Sequence, residues 1–135
     1  MKWRFESADA TRAYHVRRDL LAYLATYASD DSDLAGAGLI FGELVGNVVR
    51  HAPGPIAVDI RWEAGLAVLR VRDDGPGFDW REASLPDPMA ESGRGLFIAY
   101  AVARSLEVRR LPGRGTEAIA KLPVSLNPEF HSASA

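Results

Sequence analysis

Apolar residues recur at helical steps in two long segments of this chain. Over residues 10–27 and again over residues 33–51 they return every three or four positions, which predicts two amphipathic helices. Ser32 or Asp33 can cap the second helix, and Pro53 ends it because the residue before a proline avoids helical geometry. A third helix is predicted from about residue 95 to residue 105.

Alternating apolar and polar positions predict the strands. Residues 2–6, 56–62 and 66–72 show this alternation, and Ala64 with Gly65 joins the last two as a hairpin. Two further strands, 106–111 and 115–122, are predicted on either side of a turn. Residues 78–92 are irregular and contain two prolines, and we expect a mobile lid there.

The length and the charge balance limit what the chain can be. At 135 residues it is one domain, expected at residues 1–124, followed by a disordered tail at 125–135. Its formal net charge of −2 gives no general attraction to nucleic acid or to an anionic membrane. The lack of cysteine excludes disulfides and thiolate metal sites. No segment predicts a signal peptide or a membrane span, so we expect a cytoplasmic protein.

Four short polar or glycine-rich segments, taken in their order along the chain, predict one nucleotide site. They are ELVGN at 43–47, DDGPG at 73–77, SGRGL at 92–96 and GRGTE at 113–117. Taken alone, each has an ordinary structural alternative. These alternatives are a solvent-facing helix surface, a tight acidic turn, a glycine-rich helix entry and a strand threonine.

The second predicted helix carries Glu43, Asn47 and Arg50 on one face, because residues four and seven apart are neighbours on a helix. A Mg-triphosphate could use all three side chains. Asn47 offers a neutral oxygen for Mg²⁺, which keeps most of its coordination shell for water and phosphate oxygens. Glu43 could act as a general base toward an attacking hydroxyl or water.

The strand end at Asp73 predicts the part of the site that binds the base. An ionised Asp73 accepts a hydrogen bond from the exocyclic amine of adenine and would repel the keto oxygen that guanine places there. Gly75 and Gly77 remove side chains where a planar ring approaches the backbone. Thr116 offers a hydroxyl to the purine through water.

The segment from Gly93 to Leu96 predicts the part that binds the phosphates. Gly93 and Gly95 allow an anion to approach free amides at the start of an apolar helical run, and Arg94 adds a positive charge. No lysine followed by serine or threonine comes after these glycines, so the segment is not a P-loop, and a dinucleotide-binding fingerprint is also absent.

Together these segments resemble the motifs of the Bergerat ATP-binding fold of gyrase, heat-shock chaperones, histidine kinases and MutL-type ATPases, over residues 2–123. The segment at 43–47 with Arg50 resembles the N box, those at 73–77 and 93–96 the two glycine boxes, and Gly115 with Thr116 the terminal box. The resemblance implies an α+β two-layer sandwich, with helices on one face of a mixed, mainly antiparallel sheet. It also implies ATP and Mg²⁺ as ligands. In this resemblance Asn47 would bind Mg²⁺. The adenine would contact Asp73, Gly75, Gly77 and Thr116, and the phosphates would contact Gly93, Arg94, Gly95 and Leu96.

Within that fold the chain is most similar to the anti-sigma-factor serine/threonine kinases of bacterial partner switching. It carries the phrase GRGLFIAYAVARSLEV, and the residues after His15 do not resemble the phosphoacceptor motif of a histidine kinase. The resemblance implies that Glu43 deprotonates a serine or threonine of a STAS-type anti-sigma-factor antagonist. It further implies that Arg17 contacts the partner or the γ-phosphate, that the unoccupied kinase sequesters a sigma factor, and that the first strand and helix build a homodimer.

Gly46 and the prolines of the expected lid depart from the family pattern. Gly46 stands where the family often has threonine or alanine, and it forms a stripe with Gly38 and Gly42 that lets a neighbouring element or a ligand approach the helix closely. A regulatory module that binds ATP or ADP without phosphorylating a partner stays open as an alternative function. A structural domain with a decayed pocket is disfavoured because all four segments are retained.

Overall fold

Five strands and two long helices make up the part of the chain that the computed structural model describes, residues 1–75 and 100–130. In chain order they are β1 (Lys2–Glu6), α1 (Ala10–Tyr27), α2 (Leu34–His51), β2 (Pro55–Glu63), β3 (Leu66–Asp73), β4 (Ser105–Arg110) and β5 (Thr116–Ser125). A single 3-10 turn, Pro128–Phe130, follows β5. Residues 95–99 of the third predicted helix lie outside the described residues. Of the rest, residues 100–102 are helical and the chain has left the helix by residue 103.

Aspartates start both helices. The side chain of Asp9 accepts a hydrogen bond from the Arg12 amide at 2.9 Å, and Asp33, one of the two predicted cap residues, accepts one from the Gly36 amide at 2.8 Å. Such N-caps satisfy amides that have no partner inside the helix. In the described part of the chain, neither of these helices nor any other is long and apolar enough to cross a membrane.

The strands form one open sheet in the order β1-β2-β3-β5-β4, and every described neighbouring pair is antiparallel. Ala64 (φ 52°) and Gly65 (φ 81°) make the tight β2–β3 turn, in which both residues take left-handed geometry as a two-residue hairpin requires. The last strand, β5, lies between β3 and β4. This order brings the ends of β3 and β5 together at one edge of the core.

The two faces of the sheet differ sharply. One face is apolar and packs against α1 and α2, which bury Val16, Leu20, Ile40 and Leu44 among other side chains. Its strand residues are Trp3, Phe5, Ile56, Val58, Ile60, Leu69, Val71, Ala118 and Ala120. Residues at the alternate strand positions, which are mainly charged, face the other way. The structure therefore confirms the expected α+β fold with helices on one face.

Residues 125–130 are ordered, in contrast to the disordered tail predicted at 125–135. β5 continues to Ser125, Leu126 is buried and bridges Ala28, and the ring of Phe130 meets that of Tyr27 edge-on at 5.0 Å. Apolar contacts with the end of α1 hold this segment, although its composition is typical of a tail. Residues 131–135 lie outside the described residues.

Candidate functional site

The C-terminal end of β3 and the start of β5 lie beside the C-terminal end of α2. This junction holds most of the predicted site residues that the structure describes. Asp73 closes β3 and is paired across the sheet with Thr116 at the start of β5. Gly75 follows Asp73 and lies against Ala52, the C-cap of α2; a Cβ at Gly75 would be 3.0 Å from the Ala52 Cβ. Asn47 lies on α2, slightly more than one turn before Ala52.

Asp73 is a fully buried carboxylate that uses only one of its oxygens. Its side chain is 0% exposed, Oδ1 accepts a hydrogen bond from the Gly75 amide at 2.9 Å, and Oδ2 has no partner among the described residues. Burial raises the pKa of Asp73, and the neighbouring charge of Asp74 raises it further, against the lowering effect of the Gly75 and Thr116 amides. A hydrogen-bond donor from a ligand would satisfy Oδ2.

Thr116 places a second unpaired polar atom directly across from Asp73. It is 2% exposed, and its Oγ1 has no hydrogen-bond partner in the described ranges. A carboxylate acceptor and a hydroxyl, which can donate or accept, thus lie side by side on neighbouring strands. This pair suits the edge of adenine, where an exocyclic amine donor lies beside a ring-nitrogen acceptor. A keto oxygen facing Asp73 would meet like charge.

Gly115 fixes the position of Asp73, a role that its place beside Thr116 in the fourth motif does not by itself predict. It has φ +100°, and a Cβ there would collide with the carbonyl oxygen of Asp73. Its amide also donates to the Gly75 carbonyl at 2.9 Å. Only glycine fits both the backbone geometry and the space. The glycine beside Thr116 in the fourth motif was the available sequence signal.

Asn47 is buried and partly unpaired, and Arg50 lies on it. The side chain is 1% exposed, Oδ1 accepts a hydrogen bond from Arg50 Nη2 at 3.1 Å, and Nδ2 has no partner among the described residues. The sequence predicts these two residues on one face of α2, and the structure brings them together. One lone pair of Oδ1 is free for Mg²⁺, and Nδ2 can donate to a phosphate oxygen.

Glu43 lies on the same helix, four residues before Asn47. It is half-buried, and it makes no hydrogen bond or ion pair with another described residue. A carboxylate in this state is available to accept a proton from a bound hydroxyl. Its position relative to Asn47 is the one that the helical spacing predicts.

Arg17 lies against α2 at Gly38, away from Asn47. Arg17 Nη2 is 2.5 Å from the place that a Cβ of Gly38 would occupy. Because Gly38 and Asn47 are nine residues apart, they lie on opposite sides of α2 and about 13 Å apart along its axis. The rest of the glycine stripe is heterogeneous: an added Cβ at Gly42 would meet no described residue within 4 Å, and one at Gly46 would face the Arg50 guanidinium.

The predicted residues Gly77, Gly93, Arg94, Gly95 and Leu96 lie outside the described residues, as does the expected lid at 78–92. The described site therefore comprises Glu43, Asn47, Arg50, Asp73, Gly75 and Thr116. No group of three or more histidine, aspartate or glutamate side chains that could hold a metal occurs within residues 1–75 and 100–130.

Comparison with known proteins agrees with the geometry. The family model described as the histidine kinase-like ATPase domain matches residues 6–121. Among solved structures, the histidine kinase AdeS of Acinetobacter baumannii is similar, with a TM-score of 0.54 and 15% sequence identity over 94% of this chain and 68% of that one. At this identity the likeness shows the fold alone. No curated protein matches the chain in sequence.

Proposed function

We propose that this chain, which belongs to the histidine kinase-like ATPase family, is an ATP-dependent serine/threonine kinase. In this proposal it acts as an anti-sigma factor in bacterial partner switching. Membership of the family itself implies ATP binding. The proposed substrate is a serine or threonine on a STAS-type anti-sigma-factor antagonist. The similarity of the four motifs to those of the anti-sigma-factor kinases supports this finer assignment.

Three unpaired buried atoms are the observation that supports the ATP site most strongly. They are Asn47 Nδ2, Asp73 Oδ2 and Thr116 Oγ1, and they make up three of the four such side-chain atoms within the described residues. Leaving a buried polar atom unpaired costs about 1–3 kcal/mol. A fold that keeps three of them around one junction is arranged for a ligand that pairs with them.

The proposed reaction transfers one phosphoryl group. The oxygen of the partner hydroxyl attacks the γ-phosphorus of ATP, the bond between that phosphorus and the β,γ-bridging oxygen breaks, and ADP leaves with the bridging oxygen. Glu43 accepts the proton that the hydroxyl loses. Asp73 and Thr116 hold the adenine at the other end, so binding of the base positions the γ-phosphate.

A magnesium ion fits the donors that the structure offers. Asn47 Oδ1 would be its protein ligand, and the unshared lone pair of that oxygen allows this while Arg50 stays in place. The ion would neutralise charge on the phosphate oxygens as the γ-phosphoryl group departs. Arg50 adds a positive charge beside the γ-phosphoryl group.

The proposed partners are a STAS-domain antagonist, a sigma factor and a second copy of the chain. β1 is at the edge of the sheet, and Tyr14 on α1 is 65% exposed. An edge strand beside a helix with an exposed aromatic side chain supports the homodimer built on these two elements. The position of Arg17, on the side of α2 opposite Asn47, favours partner contact over contact with the γ-phosphate.

Phosphate transfer from Mg-ATP to a purified STAS-domain antagonist, followed with γ-labelled ATP, tests the proposal. We expect Glu43→Gln to abolish transfer while the dissociation constant for Mg-ATP stays within about twofold of wild type. Glu129→Gln removes an exposed carboxylate from the 3-10 turn and is the matched control, which we expect to transfer phosphate normally.

The outcomes separate the kinase from the regulatory module that binds ATP or ADP. Nucleotide binding together with nucleotide-dependent release of a sigma factor, without transfer to any STAS partner, would favour the regulatory module. Half-burial of Glu43 with no described partner is the observation that favours the kinase. Failure to bind nucleotide at millimolar Mg-ATP would contradict both functions.

A further inference from the structure

A charged groove crosses the face of the sheet that the described helices leave uncovered. It has a volume of about 560 Å³, and residues of β1, β2, β3, β4 and β5 line it. Ala57 and Asp59 form its floor on β2, and their side chains are short. The site residues Asp73 and Thr116 belong to the opposite face, because Thr116 and its neighbour Glu117 point to different sides of β5.

Two rows of basic side chains form the walls of this groove. Lys2 and Arg4 project from β1, and Arg70 and Arg72 from β3, with β2 between them. Six basic side chains line the groove against two acidic ones, a net charge of +4, whereas the whole chain has a formal net charge of −2. The groove is therefore basic although the chain as a whole has a net negative charge.

The buried carboxylate of Glu117 orients two arginines of the groove. Glu117 accepts hydrogen bonds from Arg72 Nη2 at 3.0 Å and from Arg109 Nη2 at 2.8 Å, and its side chain is 3% exposed. The side chains of Arg72 and Arg109 are 50% and 62% exposed, so each guanidinium keeps donors that face solvent. Arginines held in this way lose little further conformational freedom when they bind an anion.

We propose that this groove binds an extended acidic segment of a protein partner. Successive basic residues within each wall are two positions apart on a strand, roughly 6.5–7 Å, and the walls are two strands apart, roughly 10 Å. An extended chain lying along β2 projects consecutive side chains to opposite sides with the same 6.5–7 Å repeat. Four consecutive aspartates or glutamates would therefore place two carboxylates against each wall.

The mixed charges of the face favour such a segment over a nucleic acid or a membrane. Asp59 lies on the groove floor, Glu63 pairs with Arg70 at 2.7 Å at one end, and Asp74 pairs with Arg4 at 3.4 Å at the other. A continuous phosphate backbone or lipid surface would meet these carboxylates, whereas separate side-chain carboxylates can pair with the cations between them. The acidic segment is a second contact of the protein, separate from its nucleotide site.

Binding of fluorescently labelled hexaglutamate to the full chain, measured by anisotropy at low and physiological salt, tests the proposal. We expect Lys2→Glu/Arg4→Glu to weaken binding at least tenfold. Arg12→Glu/Arg18→Glu makes the same charge change on exposed positions of α1, and it should leave binding within threefold of wild type. Ala57→Phe fills the floor without altering charge, and it should also weaken binding at least tenfold.

Far-UV circular dichroism and the unfolding temperature establish that each variant is folded. Equal losses in the β1 and α1 double variants would overturn the groove by showing attraction to net charge alone. An unchanged affinity in Ala57→Phe would overturn it as well. So would tighter binding of a six-nucleotide oligothymidylate or of phosphatidylserine vesicles than of hexaglutamate, because neither ligand presents carboxylates at the side-chain spacing of an extended peptide.

Discussion

At the residue scale, Asp73 is the side chain on which recognition of the base rests. Its unpaired Oδ2 is buried beside Thr116 Oγ1, so the exocyclic amine of adenine gains a charged acceptor there. We expect Asp73→Asn to weaken Mg-ATP binding by about 1.5–3 kcal/mol, the usual contribution of a hydrogen bond to a charged group. Isothermal titration calorimetry of the two proteins measures the difference.

Asp74→Asn is the control for that measurement. Asp74 is the next residue, its side chain is 53% exposed, and it pairs with Arg4 at 3.4 Å outside the buried site. We expect Asp74→Asn to change the free energy of Mg-ATP binding by less than about 0.5 kcal/mol, because exposed ion pairs contribute little energy. Equal losses in both variants, or no loss in Asp73→Asn, would remove Asp73 from the base contact.

Gly115 and Gly113 both have positive φ. Alanine substitutions at these two positions distinguish the effect of backbone strain from that of a steric collision. Gly113 has φ +85° and no other described residue lies within 4 Å of an added Cβ, whereas a Cβ at Gly115 meets the Asp73 backbone. We expect Gly113→Ala to lower the free energy of unfolding by about 1 kcal/mol and Gly115→Ala by about 3 kcal/mol. Urea unfolding measures both, and equal losses would contradict the close approach to Asp73.

The sequence predicts the residues of the described site better than it predicts their surroundings. Asn47, Asp73 and Thr116 could be chosen from short motifs, because each motif places a polar group at the end or on the face of one element. The contacts of Glu117 with Arg72 and Arg109 join three strands. They depend on cross-strand register, which local patterns do not specify.

At the element scale, the glycines of α2 serve different neighbours, although their spacing places them in one stripe. An added Cβ at Gly42 would have no described residue within 4 Å, whereas one at Gly38 would be 2.5 Å from Arg17 Nη2 and 3.3 Å from Leu21 Cδ1. We expect Gly42→Ala to raise the free energy of unfolding by about 0.5–1 kcal/mol through helix propensity. Gly38→Ala should show a smaller gain or a loss, because Arg17 must move.

Thermal unfolding of the two alanine variants without nucleotide measures this difference. If Gly38→Ala stabilises the protein as much as Gly42→Ala, the packing of Arg17 on α2 is not maintained in solution. A destabilised Gly42→Ala would show that another part of the chain approaches α2 at this position.

The helices were predictable because their signals are local. Asp9 and Asp33 cap α1 and α2, and α1 has the predicted bounds. β5 extends three residues beyond its predicted end, and residues 126–130 then pack on the end of α1. These contacts depend on Ala28 and Tyr27, about a hundred residues earlier in the chain, so the composition of the segment alone could not indicate them.

At the scale of the whole molecule, the sheet separates two kinds of chemistry. Its helix-covered face holds the buried, partly unpaired nucleotide site, and its open face holds the paired carboxylate Glu117 among arginines. Asp73 and Glu117 belong to these opposite faces. Their environments shift the pKa values of the two carboxyl groups in opposite directions. The two groups therefore make the stability of the protein depend on pH in opposite ways.

Burial raises the pKa of Asp73 above its ordinary value of 3.8. Burial also acts to raise the pKa of Glu117, but the hydrogen bonds from Arg72 and Arg109 outweigh it and hold that pKa below the ordinary 4.5. As pH rises above about 3.8, the unfolded chain loses the Asp73 proton that the folded chain retains, so this group lowers stability. Glu117 does the reverse: it stabilises the folded chain above about pH 4.5, and this contribution is lost as pH falls through its lowered pKa.

We therefore expect opposite effects of neutralising the two carboxyl groups without nucleotide. At pH 7, Asp73→Asn should unfold at a higher temperature than wild type, and Glu117→Gln at a lower one. Both differences should shrink when unfolding is followed from pH 7 toward pH 3, because protonation neutralises the wild-type groups. A wild type more stable than Asp73→Asn at pH 7 would mean that Oδ2 has a partner in the free protein. The unpaired acceptor would then no longer support a nucleotide site.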